Sequence, residues 1–168
     1  FFFFLFASGI AHSQGIGYWF KAGSKPNEYE IGVRDEKYND KPVHYIKSIP
    51  DSTGGFGTLM KYILPGDYTG KRVRLSGYIK TENVTSSAGM WMRVDSEEEG
   101  VMLGFDNMSD RPIKGTNDWT KYEIVLDVPK GTKGIGYGVL IHETGEAWFP
   151  DLTLEVVGSD VPTTNMMK

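Results

Sequence analysis

Two stretches of the sequence alternate so strictly that they leave the chain little choice of secondary structure. KRVRLSGYIKTE puts Val73, Leu75, Gly77 and Ile79 at one parity and Arg72, Arg74, Ser76, Tyr78 and Lys80 at the other. GMWMRVD does the same with Met90, Met92 and Val94 against Trp91, Arg93 and Asp95. Successive side chains of a β-strand point to opposite faces, so each stretch reads as a strand with one face toward a core. No window repeats its apolar residues at three and four positions, so no helix is expected. Pro50-Asp51, Pro65-Gly66-Asp67 and the 21 glycines supply the turns between short strands. About nine strands are expected, in an all-β antiparallel sandwich.

The remaining composition excludes several chemistries. There is no cysteine, and hence no disulfide, thiol nucleophile or thiolate metal site. A net charge of −4 gives no concentration of Lys and Arg for nucleic acid. FFFFLFASGIA is too short to span a bilayer and reads as the apolar part of a secretory signal. Small residues Ala11 and Ser13 place the cut before Gln14. The expected organisation is a signal peptide over residues 1–13, a sandwich over 14–158 and a C-terminal tail over 159–168 without a fixed element. The expected location is secreted or periplasmic.

The second half has a recognisable order. Pro65-Gly66 is followed by KRVRLSGYIKTE and MWMRVD, and a strand opened by Trp119-Thr120 ends in Val128-Pro129. Trp148-Phe149-Pro150-Asp151 then leads into the last strand. This resembles the galactose-binding-like jelly-roll β-sandwich, the scaffold of many carbohydrate-binding modules. WFKAGSKPNEYEIGV, FDNMSDRPIKGTNDWTKYEIVLDVP and VPTTN extend a further resemblance over nearly the whole chain. They look like a poorly characterised bacterial domain found fused to AraC-type regulators. Here a signal-like leader stands where that family carries its DNA-binding helices. The resemblance therefore implies the sandwich and its ligand site, not the regulator role.

No zinc, Walker, dinucleotide or Gly-x-Ser-x-Gly signature is present. Asp95, Asp106, Glu143 and Asp151 are candidate carboxylates for a glycan-active hydrolase or lyase, whose two carboxyls must stand about 5–10 Å apart. The jelly-roll resemblance implies a structural calcium with a carboxylate at Asp151, although Pro150 replaces the first of the acidic residues often seen there. Trp91, Arg93 and Asp95 form a row suited to a saccharide: the indole as platform, the charged groups for hydroxyls. Asp106 and Asn107 are expected to add acceptors, and His142 to reach the same face. Gly134, Gly136 and Gly138 leave one face of their strand bare, open to a flat ligand or another backbone. The favoured function is non-catalytic binding of a saccharide or similar polar ligand; catalysis and self-association are the alternatives.

Overall fold

A computed structural model describes residues 17–51 and 54–167; the expected signal peptide lies outside them. The strands are β1 (Phe20–Gly23), β2 (Tyr29–Tyr38), β3 (Lys41–Ser48), β4 (Phe56–Ile63), β5 (Lys71–Ser96), β6 (Met102–Asp106), β7 (Ile113–Val128), β8 (Thr132–His142), β9 (Glu146–Phe149) and β10 (Thr153–Val157). Every pairing is antiparallel, as the alternation predicts. Among the described residues no helix is long and apolar enough to cross a membrane.

The expectation of separate strands around Tyr78 and Trp91 is corrected, because both lie on one 26-residue strand. The start of β5 pairs with β7 on one side and with β10 and β9 on the other. Its end pairs with β8 and β6. The strand thereby crosses from one layer of the sandwich to the other. Layer one runs β1-β4-β8-β5-β6, and layer two β2-β3-β9/β10-β5-β7.

The crossing is written in a change of parity. Val73, Leu75 and Ile79 are buried at odd positions, whereas Ala88, Met90, Met92 and Val94 are buried at even ones. A regular strand cannot change which parity faces inward, so the backbone must break its register between them. It does so through successive register shifts from Ile79 to Ala88, with Asn83 at φ +52°. β7 bends in step, with Gly115 at φ +71°.

The core between the layers joins Leu59, Met90, Met92, Ile135, Val139 and Ile141 of layer one to Ile46, Leu75, Ile79, Leu126, Ala147 and Phe149 of layer two. The residues expected as a free tail instead bridge β6 and β7. Thr164 N–H bonds the Val125 carbonyl at 2.8 Å, and Met166 N–H the Phe105 carbonyl at 2.9 Å. Val125 N–H returns a bond to Thr164 Oγ1 and Phe105 N–H to Asn165 Oδ1. Two edge strands thus have backbone groups satisfied that would otherwise face water, which the polar composition of the tail did not foretell.

Candidate functional site

The row that the sequence singled out is on the outside of layer one but is not open. Phe20, Met60, Gly138 and Trp91 align across β1, β4, β8 and β5, and so share a face. Trp91, Met60 and Leu140 form their own apolar cluster there, and Trp91 is only 2% exposed. Its indole N–H donates to Thr58 Oγ1 at 2.8 Å. The platform expected at Trp91 is therefore a packed side chain.

Arg93 and Asp95 bond each other at 2.6 and 3.0 Å. Burial, and then the negative charge of Asp95 and a hydrogen bond to it, push the Tyr62 phenol up to about 12. Two of the bare glycines of β8, Gly134 and Gly136, are covered by the protein's own rings, and Gly138 by the backbone of Leu59 and Met60. A Cβ on Gly134 would meet the Tyr62 ring at 2.3–2.5 Å, and one on Gly136 would meet Trp91 at 3.4 Å.

The other expected contacts separate. Asp106 pairs with Met92, whose side chain faces the core, so it cannot share the Trp91 face. It is fully buried, accepting Arg111 Nη2 at 2.6 Å and Met108 N–H at 2.8 Å. These bonds staple the loop after β6. Asn107 Oδ1 accepts Ser109 N–H at 3.1 Å, a local turn bond. His142 does lie on the Trp91 side, but opposite Ser87 at the far end of that stretch, with its ring stacked 5.8 Å from Phe56.

Asp151 sits in the turn between β9 and β10. Its Oδ1 accepts the Trp19 indole N–H at 3.0 Å and lies 3.3 Å from His44 Nε2 and 3.7 Å from Lys61 Nζ. Burial would raise this carboxyl, but the Trp19 bond, Lys61 and His44 outweigh it and hold it below the usual range. Calcium requires 6–8 oxygen ligands. A carboxylate already held by N–H groups and faced by an ammonium does not fit that ion. Among the described residues no three His, Cys, Asp or Glu side chains gather to hold a metal.

Layer two carries the open site, on residues that the sequence reading passed over. Ala147 and Phe149 of β9 face the core, so Glu146 and Trp148 between and beside them face out. Register then places Lys80 and Tyr45 on either side of Trp148, and Gly32 beyond Tyr45. The Tyr45 ring lies flat across Gly32, where a Cβ would meet it at 2.6 Å. Arg34, on the same face of β2, places its guanidinium 4.4 Å from the Tyr45 ring centre and bonds Glu146. That bond, against a smaller opposing effect of burial, raises the Arg34 pKa further above its ordinary value. Lys80 Nζ stands 5.5 Å from the Trp148 ring centre.

The β2–β3 hairpin turns at Asn39 and Asp40, both at positive φ, and its register shifts between Arg34 and Lys37. This brings Tyr38 onto Trp119 at 4.3 Å, with Tyr78 beside them at 5.3 Å. A groove of about 610 Å³ lies on this face, with Arg34, Glu146 and Trp148 on one side and Lys80, Glu82 and Thr116 on the other. Trp119 stacks on Tyr38 at this outer surface, while Trp148, only 9% exposed, is largely buried and shows one edge to the groove. The missed signal was the small Ala147 between two large aromatic or charged neighbours, which marks the inward parity of β9.

No protein-family model matches the chain. It is 43% identical over 150 residues, 88% of its length, to a Bacillus subtilis (strain 168) protein named as an uncharacterized HTH-type transcriptional regulator, YbfP. The chain spans half the length of this curated relative. Among solved structures, the enzymatically active domain of bacteriophage CBA120 tailspike protein 4 matches with TM-score 0.62 at 13% identity, over 83% of this chain and 19% of that one. The CBM22-1 xylan-binding domain of Paenibacillus barcinonensis Xyn10C matches with TM-score 0.55 at 14% identity, over 87% and 90%. TmCBM61, solved with β-1,4-galactotriose, matches with TM-score 0.53 at 13% identity, over 85% and 91%. The chain has the jelly-roll β-sandwich fold of carbohydrate-binding modules, and its sequence is similar to a stretch of an HTH-type regulator.

Proposed function

We propose that this domain binds a saccharide, without catalysis, in the groove on the outer face of layer two. The observation that carries the reading is the joint presence there of Trp148, the Arg34–Glu146 pair and Lys80 around about 610 Å³ of space, with the Tyr45 ring packed under Arg34 beside it. Aromatic surface packs against the C–H faces of sugar rings, while guanidinium, ammonium and carboxylate groups bond hydroxyls in both directions. Several solved structures of the same fold are named as carbohydrate-binding modules, which supports the reading. The four carboxylates considered for catalysis each have separate partners: Asp95 with Arg93, Asp106 with Arg111, Asp151 with Trp19, and Glu143 with Gly54 N–H. That arrangement supports binding over hydrolysis.

The test is a glycan array followed by calorimetric titration. Arg34→Ala, at a side chain 40% exposed, is expected to weaken binding about tenfold or more without unfolding the domain. Binding undiminished in Arg34→Ala and Trp148→Ala would remove the groove from the reading.

The Phe-rich leader supports a place outside the cytoplasm. The regulator relative favours a second setting, in which the same sandwich is the ligand-sensing part of a transcription factor. Fusing residues 1–30 to a reporter active only after export separates them: export supports the first setting and retention the second.

A further inference from the structure

We propose that the groove selects uncharged saccharides and rejects those bearing uronate carboxylates, an inference that rests on the saccharide reading above. Six charged side chains line it: the cations Arg34 and Lys80, and the carboxylates Asp35, Glu36, Glu82 and Glu146. Recognition of a sugar carboxylate calls for a guanidinium free to bond it in fork geometry. The guanidinium here already bonds Glu146, which also lies 3.9 Å from Lys47. A uronate entering the groove would have to displace Glu146 from its own cation.

Lys80 is the other cation of the lining, and it faces more negative charge than it can balance. Asp35 and Glu36 lie at the β2 register shift with exposed side chains. Glu82 is exposed and directly opposite Glu146 across the β5–β9 pair. Like charges at directly opposed positions repel, so a third carboxylate beside them is opposed further. Sugar hydroxyls meet no such opposition, because they donate to carboxylates and accept from Lys80 and Arg34 alike.

The experiment uses an array and titrations with matched oligomers: neutral β-1,4-glucan, xylan and galactan, and counterparts carrying uronate groups. The neutral member of a pair is expected to bind about threefold tighter at 50 mM salt, the Coulomb cost of two like charges at roughly 6 Å in water. That gap should shrink at 0.5 M salt, where charges are screened within a few ångströms. The triple variant Asp35→Asn, Glu36→Gln, Glu82→Gln changes exposed side chains only, and should raise the uronate-to-neutral affinity ratio about threefold. Uronates binding as tightly as their neutral counterparts would overturn the proposal while leaving saccharide binding in place. A ratio unmoved by the triple variant would also overturn it. Failure of every glycan, neutral and charged, would remove the saccharide reading itself and this proposal with it.

Discussion

The two outer faces of the sandwich are built from the same residue types and differ in what those residues have left to offer. On layer one, Trp91, Arg93, Asp95 and Tyr62 sit over a strand of glycines; on layer two, Trp148, Arg34, Glu146 and Tyr45 sit beside Gly32. The arginine side chain is 9% exposed on the first face and 40% on the second. The first face is level, its glycine hollows filled by rings and backbone and its indole N–H spent on Thr58. The second is relieved by the bent β2–β3 hairpin, which leaves a groove beside the same kind of ion pair. Residue type alone therefore does not make a binding face; unfilled volume beside it does.

The largest effect expected to break this comparison comes from the two tryptophans. Trp91→Ala should cost about 3–5 kcal/mol of stability, as for other buried aromatic truncations, with affinity unchanged for the molecules that remain folded. Trp148→Ala should cut affinity at least tenfold. Urea melts and titrations of both variants check this, and the reverse pattern would exchange the roles of the faces. Next in size is deletion of residues 163–168, which removes the bridge from β6 to β7. Four hydrogen bonds at about 0.5–1.5 kcal/mol net each put the loss near 2–6 kcal/mol, with no loss of glycan affinity in the folded protein.

Glycine substitutions sharpen the contrast at a smaller scale. A Cβ at Gly138 would lie 2.2 Å from the Leu59 carbonyl oxygen, backbone that cannot move aside cheaply. Gly138→Ala is expected to cost about 1–3 kcal/mol, read by thermal melting. Gly32→Ala displaces a side chain instead, the Tyr45 ring, and should change affinity more than melting temperature.

The smallest effect is a pH dependence at the sandwich edge, away from both faces. Burial is the main cause holding the His44 pKa below 6.5, against the opposing pull of Asp151. The unfolded chain therefore binds more protons than the folded one as pH falls through 6.5, and stability drops on that side. Asp151, lowered in the fold, adds a second loss as pH falls below 3.8. His44→Gln should flatten the fall between pH 7 and 5 in urea midpoints while leaving the low-pH loss.

Much of the fold was legible because alternation is local. Val73, Leu75 and Ile79 against Met90, Met92 and Val94 declare strands and inward faces without reference to anything distant. The same pattern was silent on whether one strand or two carried it, since Asn83 and Gly115 only acquire meaning once β5 and β7 are paired. The Trp91 row was assigned correctly to an outward face, but its cover comes from Phe20, Met60 and Leu140, which the chain brings in from three other strands. Asp106 looked like a site acceptor because its partner Met92 was not known.

The sequence by itself determined an all-β chain, its inward side chains and its turns, because these follow from steric periodicity over a few residues. Tertiary structure alone decided which outer face is open. Arg34 and Glu146 are 112 residues apart and meet only through the registers of β2, β3 and β9. Relief on a sheet surface depends on how distant strands stack and bend, and no local pattern encodes that.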